Sequence, residues 1–548
     1  MTKTRREFLE GAGAAAASAA LISKLPYTAR ADSRTSDFDI NRSFDAFMQG
    51  IGGSAADGGG DVKFIGQDPL LRSHFRIGSS MAIPAMAAGV GAAAIWKDRT
   101  GEGQDVQVDL RESIYNVNPI IALVLNHEQA VGLIPADDPI PSSLTFVPGI
   151  NGGWYQAPWG LGNPFSFQLF RTKDGRFVTI TGVYPHLYDR ALELLSVPPD
   201  RDAITKAIAQ WESAKLDEAM AEARVIGGVH RTADEWLNHP EGKYLASRPV
   251  IDIVKIGDAD PPPYSEDPEQ PLSGIKCLAL THVIAGSCAA RTLAENGAEV
   301  LHIARDQSFE HPVVWTDVNV GMRSSFMNLR KPELAQILSG LVKDADVFIE
   351  SFGGRSIENL GFGVEEVAAM KPGIVYLSVR CYGWDGPWRD RGGFDMEALT
   401  VSGYTMAEGA GGLPKFSPNF PVPEEMIKDP AFPPTLVLND YIAGYLGAAG
   451  VIAALRRRAK EGGSYHVRIS LTRAAMWYQG LGTFPTTDFD ATKPEHRMIA
   501  PESLSGQTCY GEIKRLAPQA KLSRTPGRWR DPLVIVRGGD LPVWVGDR

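Results

Sequence analysis

The chain has 548 residues, 44% hydrophobic and 22% charged, with 55 lysines and arginines against 65 aspartates and glutamates. That balance is ordinary for a globular protein, and about 150 residues per domain would allow three or four domains. It excludes a mainly disordered, fibrous or multi-span membrane chain. A formal net charge of −10 argues against a general nucleic-acid binder, which needs a basic surface. Four cysteines, Cys277, Cys288, Cys381 and Cys509, are too few and too scattered for a disulfide framework or a CxxC metal knuckle, and no metal site is expected.

Residues 1–31 have the layout of a secretory signal. The basic stretch around Arg5-Arg6-Glu7-Phe8-Leu9 is followed by an Ala-rich apolar run and by Ala29-Arg30-Ala31. The paired arginines before Phe-Leu resemble a twin-arginine export signal, and the apolar run is too short for an integral membrane span. Gly11 to Ala16 satisfies GxGxxA, but no strand precedes it, so a dinucleotide site is rejected there.

The next feature is self-similarity. Residues 85–110 and 446–471, which lie 361 positions apart, share small and apolar residues at helical spacing, a basic helix end, a Gly-containing turn and an alternating strand. Phe44-Asp45 and Phe394-Asp395 form a second echo. The pattern reads as partial internal duplication, with a partial first copy of a large domain over residues 37–140.

Residues 150–256 read as a smaller α+β domain. It starts with a hairpin turning at Asp174-Gly175 and continues with Ala-, Glu- and Leu-rich helical stretches. Residues 257–272, rich in proline and acids, read as a linker. From 273 to 475 the pattern alternates between strands and helices. Strands are expected at Ile275–Leu280, Glu299–Ile303, Asp346–Ile349 and Gly373–Val379, with a helix from about Gly286 to Asn296. This is the signature of a Rossmann-like, parallel α/β sheet, whose ligands bind beyond the carboxyl ends of the strands. Thr281–Ala285 and Ser351–Gly354 then stand at the mouth. Residues 476–548 form a C-terminal tail.

The segments GIKCLALTHVIAGSCAARTLAENGAEVLHIAR (274–305), DADVFIESFGGRSIENLGFG (344–363), KPGIVYLSVRCYGWDGPWRDRGGFDMEALTVSG (371–403) and NDYIAGYLGAAGVIAALRRR (439–458) occur in the order found in the class III CoA-transferases. Together they resemble that family of formyl-CoA transferase, carnitine CoA-transferase and α-methylacyl-CoA racemase. RTKDGRFVTITG (171–182) resembles the start of its small domain, and the tail segment 511–529 echoes its C-termini. The resemblance implies an enzyme moving CoA between an acyl-CoA and a carboxylic acid, with coenzyme A as substrate and product. It implies Asp440 as the nucleophile, passing through an aspartyl anhydride and an aspartyl-CoA thioester. Helix N–H groups beside Asp440 would stabilise an anionic oxygen. The resemblance also implies CoA contacts at Val283, Ile284, Ala285, Arg305 and Arg380, and a mobile loop at Gly149, Gly152 and Gly153. Arg323 and Arg330 are read as solvated surface charges.

The chain departs from the family pattern at Ala279, Ser287, Met322 and Asn359, and at Phe394, where the racemases carry a proton-shuttling histidine. A racemase or isomerase, with His282 or Asp395 as the second proton carrier, is the alternative activity; a non-catalytic CoA-binding paralogue is another. Ser79 stands 361 positions before Asp440, so the first copy has no aspartate there. A homodimer and an intramolecular pseudo-dimer both stay open. The leader implies export to the periplasm, whereas CoA chemistry implies the cytoplasm.

Overall fold

The computed structural model describes residues 38–71, 73–119, 146, 148–154, 163–165, 168–306, 308–410, 416–417, 420–421, 430–483 and 493–545. The leader and its GxGxxA run lie outside the described residues. Helix α1 (Ile40–Gly50) opens the described chain, followed by β1 (Gly59–Ile65), α2 (Ile77–Thr100), β2 (Gln104–Asp109) and α3 (Leu110–Val117). Helix α2 is apolar and long enough to cross a membrane, yet 94% of its most apolar window is buried inside the protein. Its alanines and glycines allow close approach: a Cβ on Gly91 would meet Ile452 at 2.8 Å.

The hairpin β3 (Gly149–Ile150) and β4 (Gly153–Trp154) precedes a second hairpin, β5 (Phe170–Arg171) and β6 (Phe177–Ile180). The latter turns at Gly175, whose φ of 77° only glycine adopts freely. Helices α4 (Pro185–Leu195), α5 (Arg201–Ile208) and α6 (Ser213–Glu222) follow, then β7 (Gly227–Val229), which pairs with β6. Phe165, Phe170, Val178, Ile180, Ile204 and Leu216 fill the core of this small unit. Two short helices, α7 (Ala233–Asn238) and α8 (Pro240–Ala246), lead to β8 (Asp252–Gly257).

The larger unit alternates β9 (Lys276–Leu280), α9 (Ala285–Glu295), β10 (Glu299–Ala304), α10 (Pro312–Val318), β11 (Arg323–Phe326), α11 (Pro332–Asp344), β12 (Val347–Glu350), α12 (Val364–Met370) and β13 (Val375–Arg380). Then come α13 (Asp395–Val401), α14 (Tyr404–Ala410), the small hairpin β14 (Phe416–Ser417) and β15 (Phe420–Pro421), α15 (Asn439–Glu461), β16 (Ser464–Ser470) and α16 (Leu471–Gln479). Seven strands form one sheet in the order β11-β10-β9-β12-β13-β16-β8. All its pairings are parallel except β16 with β8. Continuous burial along β12 and β13 fits strands covered on both faces. The fold is therefore mixed α/β with a large, mostly parallel sheet. Composition ends the small domain before the linker, but β8 closes the large sheet as its antiparallel edge, where its backbone groups find partners on β16.

The tail supplies β17 (Ser503–Thr508), β18 (Gly511–Leu516) and β19 (Lys521–Leu522). Strand β19 pairs antiparallel with β2, which pairs in parallel with β1. The trio β1-β2-β19 has the same directions as β13-β16-β8, and Val106 and Val467, 361 positions apart, occupy the central strand of each. The surrounding details run in step. Helices α2 and α15 end at Gly101 and Gly462, both at positive φ, and α3 and α16 begin at the side-chain caps Asp109 and Ser470. Helices α2 and α15 also meet directly through the Arg456–Asp98 ion pair. Arg99, at the end of α2, fastens the proline-rich segment by donating to the carbonyls of Ser265, Pro271 and Ser273.

The echo of Phe44-Asp45 does not extend to the helix starts. Asp45 is exposed on α1, and the carboxylate that meets the start of α2 is Asp68.

Candidate active site

Because its inner strands run parallel, the large sheet gathers its loops at one edge. Strand β9 leads there into Thr281, β10 into Arg305 and β12 into Ser351, and β13 ends at Arg380. The turn after β9 is held to the turn after β12: the His282 N–H donates to Ser351 Oγ at 3.1 Å. Between them Val283 takes a left-handed φ of 64°, a costly conformation for a β-branched residue. Ile284 and Ala285 are buried at the start of α9. That start lies beside the first turns of α15, where a Cβ on Gly444 would come within 3.0 Å of the Ala285 carbonyl.

Asp440 is the second residue of α15 and is 6% exposed. No described residue forms an ion pair with it or donates a hydrogen bond to its carboxylate. The helix amides expected to stabilise an oxyanion are already engaged. Asp395 Oδ2 accepts the N–H groups of Leu438 (3.2 Å), Asn439 and Asp440 (2.9 Å), and so caps α15 from the start of α13. Burial pushes Asp395 up to about 7 despite these three bonds. Asp440 rises well above the usual carboxylate range, first through burial and then through the charges of Asp395 and Glu397. Glu397 is also raised by burial, although the Thr181 hydroxyl donates to it at 2.6 Å. Three acids thus converge on one helix start.

The small unit covers this place with Tyr184, which precedes α4. Its hydroxyl donates to Glu310 Oε1 at 3.1 Å, and its ring stacks on Phe394, with centroids 6.0 Å apart. Burial, Glu310 and Asp440 together raise the Tyr184 hydroxyl well above its ordinary value. Glu310 also accepts the N–H of Val283 and that of His311, each at 3.1 Å, and its Oε2 lies 3.6 Å from His282 Nε2.

The structure thus brings Asp440, Val283, Ile284 and Ala285 to one mouth, with Arg305 exposed along the same edge. Arg380 is buried, and its charge is met by Glu358 (3.2 Å) and Glu350 (3.8 Å). Gly149, Gly152 and Gly153 form a registered hairpin. Asn151 and Gly152 turn at φ of 51° and 73°, and β3 pairs with β18 of the tail. Backbone pairing replaces the free loop expected there. Arg323, expected to be solvated, is 2% exposed and donates to the carbonyls of Leu541 and Val543, strapping the tail along the sheet edge. Tyr184 and Glu310 were not anticipated. Tyr184 lies just beyond the quoted segment 171–182, and its position was the only available sign.

Residues 272–504 match the model of CoA-transferase family III. The chain is 29% identical over 342 residues to acetyl-coenzyme A transferase nodX of Hypoxylon pulicicidum, covering 58% of this chain and 55% of that protein. It is 29% identical over 294 residues to the succinyl-CoA–L-malate CoA-transferase alpha subunit of Chloroflexus aurantiacus, covering 50% and 58%. Among solved structures it is similar to a CAIB/BAIF family protein from Brucella suis, at 23% identity and a TM-score of 0.31, covering 38% of this chain and 55% of that one. The chain spans about half the length of the curated relatives it matches. The segment matched by the family model contains Asp440.

Proposed function

We propose that this chain is a class III CoA-transferase that moves CoA from an acyl-CoA to a carboxylic acid, with Asp440 as its nucleophile. The observation that carries this reading is a buried carboxylate without a cationic partner among the described residues, at a helix start beside the carboxyl ends of a parallel sheet. An Asp serving only as a cap would accept helix amides, and here Asp395 does that.

The chemistry balances without a cofactor other than CoA. A carboxylate oxygen of Asp440 attacks the thioester carbonyl, and the C–S bond breaks to give a mixed anhydride and CoA thiolate. The thiolate attacks the aspartyl carbonyl and releases the donor acid, leaving an aspartyl-CoA thioester. The acceptor carboxylate attacks that thioester, again giving an anhydride and thiolate. The thiolate then takes the acceptor acyl group and frees Asp440. Exclusion of water protects the anhydride, and Tyr184 stacked on Phe394 is suited to that role. The adenosine end would follow the turn Val283–Ala285 toward Arg305, whose planar guanidinium suits phosphate.

Incubation with an acyl-CoA, followed by hydroxylamine or borohydride, should modify Asp440 in a CoA-dependent way detectable by peptide mass. Normal turnover by Asp440→Ala would overturn the assignment. The racemase alternative needs a second proton carrier, and a phenyl ring at Phe394 cannot serve. Deuterium exchange at the substrate α-carbon without acid exchange would favour it nonetheless.

The exchange of β8 and β19 supports an intramolecular pseudo-dimer built from two incomplete copies. Native molecular mass would distinguish this from a homodimer. A mature N-terminus near Asp32 in the native protein would establish export.

A further inference from the structure

Buried charges tie the helix that bears Asp440 to the tail of the chain, and the inference from them rests on the transferase reading above. Tyr441, the residue after Asp440, is buried, and its hydroxyl donates to Asp317 Oδ2 at 2.7 Å. Asp317 lies in α10, and two arginines share its carboxylate. Arg291 of α9 donates to Oδ2 at 3.3 Å, and Arg515 of β18 donates to Oδ1 at 3.5 Å. Arg291 is 1% exposed and Arg515 4%. Trp529 joins the two: its ring centre lies 4.2 Å from the Arg515 guanidinium, and its indole N–H donates to the Arg291 carbonyl at 3.3 Å.

Two holds act on the first turn of α15. The amides of Leu438, Asn439 and Asp440 all converge on one atom, Asp395 Oδ2, which makes a pivot and not a clamp. The Tyr441 hydroxyl is the second hold. It sits at the end of a rigid ring about 100° round the helix from Asp440, so its bond to Asp317 resists rotation about that pivot. Burial and the Asp317 charge push this hydroxyl well above its ordinary value, which keeps it a donor through the neutral range. Stability gives little reason for Arg515 to be buried here. Its one ion pair among the described residues spans 3.5 Å, and its Nε and Nη1 meet no acceptor there, so desolvation outweighs the gain. Arg515 also lies beyond the segment 272–504 that matches the family model.

We propose that Arg515 is a positioning residue for Asp440, acting through Asp317 and the Tyr441 hydroxyl, and that the tail therefore takes part in acyl transfer. Arg515 anchors Asp317, Asp317 holds the phenol, and the phenol sets the direction in which the neighbouring Asp440 carboxylate faces. A misplacement of about 1 Å at a reacting group can cost about 100-fold in rate. Loss of this chain of contacts leaves the turn Val283–Ala285 untouched and slows the attack itself, so it acts on kcat and not on KM.

The test uses the full chain and follows label exchange between acetyl-CoA and isotopic acetate, or succinyl-CoA and isotopic succinate, with whichever pair the wild type turns over faster. Tyr441→Phe, which removes one oxygen, and Arg515→Met should each lower kcat about tenfold and leave KM within about twofold. The double variant should also lose about tenfold, because both changes cut the same chain of contacts. Full kcat in either folded single variant overturns the proposal and leaves the transferase reading standing. So does a loss that falls on KM alone, or a loss of about 100-fold in the double variant, which would mean that the two residues act separately. Where Arg515→Met does not fold, Tyr441→Phe and Asp317→Asn decide it, and full kcat in both overturns it. A wild type that exchanges neither label, with no hydroxylamine adduct at Asp440, overturns the transferase reading and this inference with it.

Discussion

Helices α2 and α15 are both capped by a carboxylate from outside the helix, and they differ in the side chain that meets that cap. Each start is held by a carboxylate from outside the helix: Asp68 accepts the N–H groups of Gly78 (2.9 Å) and Ser79 (2.8 Å), and Asp395 accepts those of Leu438, Asn439 and Asp440. In α2 the next group is the Ser79 hydroxyl, which donates to Asp68 at 2.7 Å and completes a closed cap. In α15 that position is Asp440, a second buried acid set against the first. A capping carboxylate is what the fold asks for at a helix start; a second acid beside it works against stability. The difference separates architecture from chemistry within one molecule.

That comparison can be broken experimentally. The largest effect should follow from Asp440→Asn, which keeps the shape but removes the proposed nucleophile: acyl transfer should fall by about 10⁴-fold, measured by CoA-thioester exchange. Detectable turnover close to wild type would show that the asymmetry between the helix starts is not catalytic. The reverse change, Ser79→Asp, places a second acid against Asp68. It should cost about 2 kcal/mol of stability, read as a lower melting temperature, and should create no new hydroxylamine adduct.

The pH dependence sharpens the contrast. Burial raises Asp395 from 3.8 to about 7 and also raises Asp440 well above the usual carboxylate range, so between pH 3.8 and about 7 the folded protein holds more protons than the unfolded chain. Stability contributed by this pair is therefore fullest near pH 4 and is lost as pH rises through neutrality. Thermal melts should show Asp440→Asn gaining on the wild type as pH increases from 4 to 8, by about 2 °C at the upper end. A constant gap across that range would refute the paired titration. The smallest effect is expected for Asp395→Asn, which still accepts helix amides and should cost under about 1 kcal/mol. With one charge fewer facing Asp440, its pH–rate profile should move to lower pH, whereas Asp68→Asn should leave that profile in place.

Much of the large unit was legible along the chain. Its alternation of short apolar runs with helices placed β9, β10, β12 and β13 within a residue or two of where they lie, because strands buried on both faces read as continuous hydrophobic runs. The recurrence at 361 positions was equally visible, since glycine turns and alternating valines are local features. What escaped depends on pairing across distance. Strand β8 precedes a proline-rich segment, and nothing in its own residues says that it will lie against β16. Arg323 looks like any surface arginine until the tail wraps over it. The helix amides beside Asp440 looked available because Asp395, 45 positions earlier, gives no sign in sequence that it will reach them. Tyr184 and Glu310 meet across two units for the same reason.

The strand that completes the β1-β2 sheet comes from residues 521–522, near the other end of the chain. During synthesis at 5–20 residues per second, the edge of β2 waits on the order of 20–80 s after residue 106 for its partner to be made. Throughout that interval the first unit presents an unpaired strand edge beside an apolar helix whose partner, α15, is also still unmade. The order in which the chain is written thus leaves its earliest part the last to finish, so chaperone demand should concentrate on the nascent amino-terminal unit.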